Sequence, residues 1–289
     1  MKRLPSFSSA TRDAGNAGFT LIEMIGVVAL VAIMAAIITP NLARKISSSA
    51  GEREDKMLEV LGEGVMSYIR TYQVIPGANS WITNVAAVTG LSSNEVRRVN
   101  VSDAASARVY LVNFAFQPST ASGGGFADPV WTQTAAGATT VTSPRILIIS
   151  THKSSLTLPV TSGRAASQAA FDAIWDWTFD PATKAPPGGW PSAWSGNGEY
   201  LHVERVNLTP HFRRVVINNL EYPDTSPYYQ VGTATMTLFS SAATLDRYFL
   251  DSSFLRFYKD DANGNDLDLS YSLNGTANFI YENDAWRMP

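Results

Sequence analysis

The sequence predicts an α+β fold, with a long N-terminal helix, apolar and then amphipathic, packed on an antiparallel β-sheet domain. Three observations carry this. An apolar run broken by Glu23 starts at Phe19, a helical stripe follows from Met57 to Tyr72, and strand-like segments separated by turns fill most of the rest. The chain has 289 residues, 45% hydrophobic and 11% aromatic, enough for a substantial core. Charged residues make up 16%, against roughly 25% in ordinary soluble domains. A formal net charge of −3 lacks the basic footprint of a nucleic-acid binder. With no Cys, there is no disulfide framework, thiolate metal site or cysteine nucleophile.

Residues 1–18 are polar and carry Lys2, Arg3 and Arg12 against Asp13. From Phe19 to Thr39 the chain reads FTLIEMIGVVALVAIMAAIIT, and as a helix this spans about 31 Å, one bilayer hydrocarbon core. A cleaved secretory signal fits poorly, because its apolar region is about 7–15 residues and ends in a small-residue site. A plain signal anchor fits the length but leaves Glu23 unexplained. An isolated Glu in lipid costs on the order of 2.5–3.5 kcal/mol on insertion scales, so it calls for a partner. A cut between Gly18 and Phe19 supplies one: an α-ammonium four residues before Glu23, in the same helix or in a neighbouring one.

Gly18-Phe19-Thr20-Leu21-Ile22-Glu23 resembles the processing site of type IV prepilins and type II secretion pseudopilins. The basic leader matches, and Pro40 falls where these proteins often carry a helix-bending proline. The resemblance covers about residues 13–45. It implies cleavage after Gly18 by a prepilin peptidase, N-methylation of Phe19, and assembly in which Glu23 and Pro40 of the stem take part. The partners implied are other pilin or pseudopilin subunits, the peptidase, an inner-membrane assembly platform, and lipid before assembly. No nucleic acid is expected. The implied organisation is a leader at 1–18, a membrane and filament-core helix at 19–40, its amphipathic continuation at 41–75, and a β-rich domain at 76–289. The implied location is a single pass through the cytoplasmic membrane, with the N-terminus inside and the β-rich domain outside. Within the family, a secretion pseudopilin is the reading preferred; a minor pilin for adhesion, motility or DNA uptake is the alternative. From a different class comes a membrane-anchored extracytoplasmic binding module.

Beyond the stem, Pro40 predicts a kink near Ile37–Pro40. Met57, Leu61, Val65, Tyr68 and Tyr72 form a stripe expected to face the protein's own sheet, with the charges from Glu52 to Glu63 mostly elsewhere. Gly62 and Gly64 soften this end by roughly 1 kcal/mol each relative to Ala. A stop follows at Gln73–Gly77. Trp81–Val88 reads as a short helix ended by Gly90, and Ser92 to Glu95 as a capping box. Expected strands are Arg108–Phe116, Arg145–Ser150, Tyr200–Asn207, Arg213–Leu220, Tyr228–Phe239, Phe254–Lys259, Leu267–Leu273 and Ala277–Glu282, with a helix at Ala169–Trp177.

No residue pattern supports catalysis. Ser, His and Asp occur without a nucleophile-elbow signature, and Gly123–Gly125 lacks the Lys of a phosphate loop. His202 and Glu204 share a strand face near His211, without zinc-like spacing. No cofactor is required, but Asp261, Asn263, Asn265 and Asp268 present alternating oxygen ligands around Gly264, a possible Ca2+ loop. Against it, Ser272 stands where an EF-hand has its bidentate Glu, and an Asn-Gly hairpin turn explains the same residues. Related pseudopilins that bind calcium near their C-terminal loops favour the ion. Trp175, Trp177, Trp190 and Trp194 cluster in a Pro/Gly-rich stretch and are expected to anchor a long loop, the alternative being a grip on a sugar or partner subunit.

Overall fold

The computed structural model describes residues 20–98, 107–116, 129–152, 163–164, 167–188, 197–222, 224–225, 227–234, 237–239, 244–259 and 265–289. The chain divides into two compact units, Met1–Ser49 and Ala50–Pro289. One helix, α1 (Leu21–Tyr72), passes through the boundary.

In the first unit every described residue from Thr20 to Ile46 is exposed, Ile22 at 79% and Ile37 at 63%. This stretch is long and apolar enough to cross a membrane. Helical assignment runs through Pro40 without a break. The pyrrolidine nitrogen has no hydrogen to donate to the preceding turn. Side chains around it bond to neighbouring carbonyls: Thr39 Oγ1 donates to Ala35 O at 2.7 Å, and Asn41 Nδ2 to Ile37 O at 3.1 Å.

The second unit opens with the remainder of α1 and adds α2 (Trp81–Thr89), α3 (Ser93–Arg97) and α4 (Gln168–Trp175). Its strands in chain order are β1 (Val74–Ile75), β2 (Val109–Val112), β3 (Trp131–Thr132), β4 (Arg145–Thr151), β5 (Gly163–Arg164), β6 (Leu201–Asn207) and β7 (Phe212–Asn219). They continue with β8 (Tyr228–Val231), β9 (Thr237–Leu238), β10 (Thr244–Leu250), β11 (Phe254–Tyr258), β12 (Leu267–Ser272), β13 (Ala277–Tyr281) and β14 (Trp286–Arg287). Among the described residues these form three four-stranded sheets, ordered β5-β2-β4-β6, β10-β7-β13-β14 and β12-β11-β8-β9, plus the pair β1-β3. Among these strands β13–β7 and β2–β5 pair in parallel and the other pairs are antiparallel. The α+β class stands, with several sheets in place of one.

The sheet nearest α1 is covered on both faces, so its strands are apolar throughout. Tyr110, Val112, Ile146 and Ile148 join Leu58, Leu61, Val65 and Ile69 of α1 in one cluster. Val109, Leu111, Leu147 and Ile149 meet Phe171 and Ile174 of α4 in another. A third core joins the other two large sheets through Val215, Ile217, Phe257, Phe279 and Trp286. Each fully buried Leu, Ile or Val of α1 contributes about 1.5–3 kcal/mol.

The buried stripe of α1 sits one position round from the expected one. Leu61 and Val65 are in the core, Met57 and Tyr68 lie at its rim, and Tyr72 is exposed beside the Tyr68 ring at 4.6 Å. Glu54 shares the buried face because Arg108 answers it, Nε to Oε1 at 2.7 Å and Nη2 to Oε2 at 3.0 Å. Ser150 Oγ adds a bond to Oε1 at 2.6 Å, and Arg98 lies 3.5 Å from Oε2. The Arg108 guanidinium also donates to the carbonyls of Glu95 and Val96. Four elements are thus joined through one carboxylate.

The glycines of α1 are sites of close approach. A Cβ on Gly64 would lie 2.6 Å from Thr89 Cγ2 and 2.9 Å from Val85 Cγ1 of α2, while one on Gly62 would meet the Glu204 carboxylate at 2.8 Å. Elsewhere Gly90 ends α2 with φ 74°, and Ser92–Glu95 closes as a capping box at the start of α3, both as expected. The expected strand Tyr228–Phe239 is instead two strands, β8 and β9, paired back on each other, because the chain turns after Val231 at Gly232 with φ 59°. Strand β10 was not anticipated. It carries Asp246 and Arg247 in mid-run, and Asp246 is held across the sheet by Arg214 of β7.

Two outcomes follow. Glu54→Ala strands Arg108 in the core and is expected to lower unfolding stability by about 3–5 kcal/mol in urea titrations. Burial pushes the Glu54 carboxyl up, but the bonds from Arg108 and Ser150 and the charge of Arg98 outweigh it and hold it below its ordinary 4.5. The wild-type contribution is therefore intact above about pH 4.5 and lost as pH falls through the depressed value. Gly64→Ala is expected to destabilise by about 1–3 kcal/mol despite better helix propensity, since short branched neighbours cannot yield. Gly62→Ala faces a flexible side chain and is expected to cost less.

Candidate functional site

The start of α1 is built by Thr20 and Glu23. An α-helix leaves its first four N–H groups without intrahelical acceptors. The Thr20 backbone N–H donates to Glu23 Oε2 at 2.9 Å, Thr20 Oγ1 donates to the same oxygen at 2.9 Å, and the Glu23 N–H donates back to Thr20 Oγ1 at 3.3 Å. This reciprocal pair is a capping box of the Thr-x-x-Glu form. It also places the carboxylate at the positive end of the helix. The first intrahelical bond, Met24 N to Thr20 O at 3.1 Å, follows directly.

In the uncut chain Glu23 therefore already has a partner. The local sequence Thr20-Leu21-Ile22-Glu23 carries the signal for it, a Thr three residues before a Glu. Gly18 and Phe19 lie outside the described residues. Pro40 sits within the continuous helix, on the exposed stretch with Leu30, Ile33, Ile37 and Ile38.

Residues 13–39 match the family model of the prokaryotic N-terminal methylation motif. The chain is pilin-like at its N-terminus. No curated protein and no solved structure matches the chain. The matched residues run from Asp13 through Glu23 to Thr39, the residue before Pro40. The motif is joined here to a long helix, with a stretch apolar enough to cross a membrane, and to antiparallel sheets.

The other candidate residues take structural places or lie outside the described residues. Asp261 and Asn263 of the proposed calcium loop are not among those described. Asp268 Oδ2 accepts the Trp286 N–H at 2.5 Å and so ties β12 to β14. Among the described residues no three His, Asp or Glu side chains are grouped to hold a metal ion. The hairpin expected around this loop is present, Arg256 facing Ser270 and Tyr258 facing Leu267. Trp175 and Trp177 are partly buried: Arg145 lies 5.0 Å over the Trp175 ring, and Arg205 donates to the Trp175 and Trp177 carbonyls at 2.6 and 2.5 Å. They anchor their segment to the sheet; Trp190 and Trp194 fall outside the described residues. His202 and Glu204 lie along α1, and His211 lines a cleft of about 750 Å³ with Arg70 and Glu204.

The capping box gives a direct test. Thr20→Val removes one donor and one acceptor, and amide exchange at Leu21–Met24 in detergent micelles is expected to speed up. Thr20→Ser keeps the hydroxyl and should leave it near wild type. A helix cap of this kind is worth about 1 kcal/mol, roughly a fivefold change in opening.

Proposed function

We propose that this protein is a pilin-like structural subunit of a type II secretion pseudopilus, without enzymatic activity. A prepilin peptidase cleaves it between Gly18 and Phe19, and Phe19 becomes the N-methylated first residue. The subunit rests in the cytoplasmic membrane with its N-terminus inside and its β-rich domain outside. An assembly platform then draws it into a filament with other pilin or pseudopilin subunits through residues 19–40.

The observation that carries this reading is the overlap of the methylation motif with the exposed apolar first part of α1, which bears one acid near its start. Lipid accounts for the apolar surface before assembly, and neighbouring stems account for it afterwards. Cleavage changes the electrostatics of the helix start. It creates an ammonium beside Thr20, and Glu23, held in the uncut chain by Thr20, becomes available to that amine or to one on an adjoining subunit. Retention of the acid speaks for a subunit with another above it. The size of the β-rich domain speaks for a minor or specialised subunit.

In cells, Gly18→Leu is expected to accumulate uncleaved precursor on electrophoresis, because a bulky residue obstructs close approach to the scissile backbone. Glu23→Ala is expected to be processed normally yet to lose recovery in sheared or cross-linked filaments by at least tenfold. A wild-type protein absent from such filaments, with Glu23→Ala indistinguishable from it, would point to an anchored binding module.

A further inference from the structure

The seam between the amphipathic half of α1 and the edge strand β6 contains a chain of titratable groups that the filament role does not use. His202, at 6% exposure, has both ring nitrogens engaged. Its Nδ1 lies 2.5 Å from Asp55 Oδ1 on α1, and its Nε2 lies 2.7 Å from His152 Nδ1, just past the end of β4. The two rings are 4.9 Å apart at 54°, and Tyr200 packs edge-on against His152 at 5.2 Å. The α1 backbone rests on both rings. A Cβ on Gly51 would lie 3.2 Å from His202 Cε1 and 3.5 Å from His152 Cε1.

Only certain proton counts fit this geometry. With both imidazoles neutral, His202 Nδ1–H donates to Asp55, and one hydrogen lies between the facing nitrogens, donated by His152. One added proton is accommodated: His202 becomes an imidazolium against the Asp55 carboxylate, and its Nε2–H donates to His152 Nδ1. A second proton places N–H groups on both facing atoms, and two donors cannot remain 2.7 Å apart. The other groups around the seam are Glu59 and Glu204 on the next turn and the same strand, Glu199 and Tyr200 before β6, and Asp176 after α4. Arg205 is held by backbone carbonyls, and Arg98 donates to Thr151 O beside His152. This mostly acidic surround does not relieve the contact between two facing N–H groups.

We infer that His152 and His202 form a proton-operated latch. With one shared hydrogen the two rings lie together beneath the α1 backbone at Gly51, with His202 bonded to Asp55; with both rings fully protonated they part, and the displaced rings free the Gly51–Glu63 segment of the helix. Histidine is the side chain whose unperturbed charge change falls between pH 5 and 8, which sets the range in which the latch is tested. Asp55, 65% exposed at its side chain, connects it to solvent. Carboxylates do not imitate the effect there. Burial and the charges of Glu59 and Glu63 hold Glu204 above its ordinary 4.5, so its protonation on acidification relieves repulsion and tightens the seam.

The test is hydrogen exchange with mass spectrometry on the full chain in detergent micelles between pH 7.5 and 5.0, corrected for intrinsic rates. In the wild type, protection of peptides covering 51–63 should fall at least tenfold towards pH 5.0, while peptides of β7 and β13 stay unchanged. His152→Gln, which offers an amide in place of the second titrating ring, should hold protection flat. A flat wild-type profile, or a variant that falls in parallel with it, overturns the proposal. Should the variant fail to fold, ring-nitrogen shifts of the 15N-histidine-labelled wild type decide. Linked titration of two of the three histidines supports the latch, and independent titration of all three refutes it.

Discussion

One helix serves two solvents, and the rest of the architecture follows from that constraint. From Met24 to Ile38 α1 presents exposed apolar side chains on every face, a surface suited to lipid or other apolar helices. From Gly51 to Tyr72 it is a conventional amphipathic element whose buried edge completes the core of the β-rich unit. The change of character coincides with the boundary between the two compact units.

Each half solves a charge problem by local means. At the start of α1 an acid in apolar surroundings is held by a hydroxyl and a backbone amide three residues away. In the globular unit a second acid, Glu54, is buried on the sheet side and satisfied by Arg108 and Ser150. A purely apolar residue at 54 would pack as readily. The carboxylate, however, joins α1 to α3, β2 and β4 in a single arrangement, which fixes the rotation and height of the helix on the sheet. Gly51, Gly62 and Gly64 act with it, since each marks a point where another element comes within contact distance of the helix backbone.

Much of this was legible beforehand for physical reasons. The apolar run and the Glu within it are local features, and so are the Gly90 stop and the Ser92–Glu95 box. The strands buried on both faces, Val109–Val112 and Arg145–Thr151, announced themselves by continuous apolar composition. What sequence reasoning missed depends on partners distant in the chain. Glu54 reads as a surface charge until Arg108 is beside it. Gly62 and Gly64 read as weak helix positions until Glu204, Val85 and Thr89 are brought against them. The Thr244–Leu250 strand was masked by Asp246 and Arg247, and no local pattern announces the pairing of His152 with His202. Thr20 is a different case, a readable cap overshadowed by a more distinctive motif.

The central claim is that the helix is made to work as a stem with a newly exposed N-terminus. Its most direct test is the intact mass of the protein purified from the membranes of the cells that make it. A chain that begins at Phe19 and carries one methyl group on its α-nitrogen is the result this account predicts. An unmodified chain that retains residues 1–18 as its working form would contradict it.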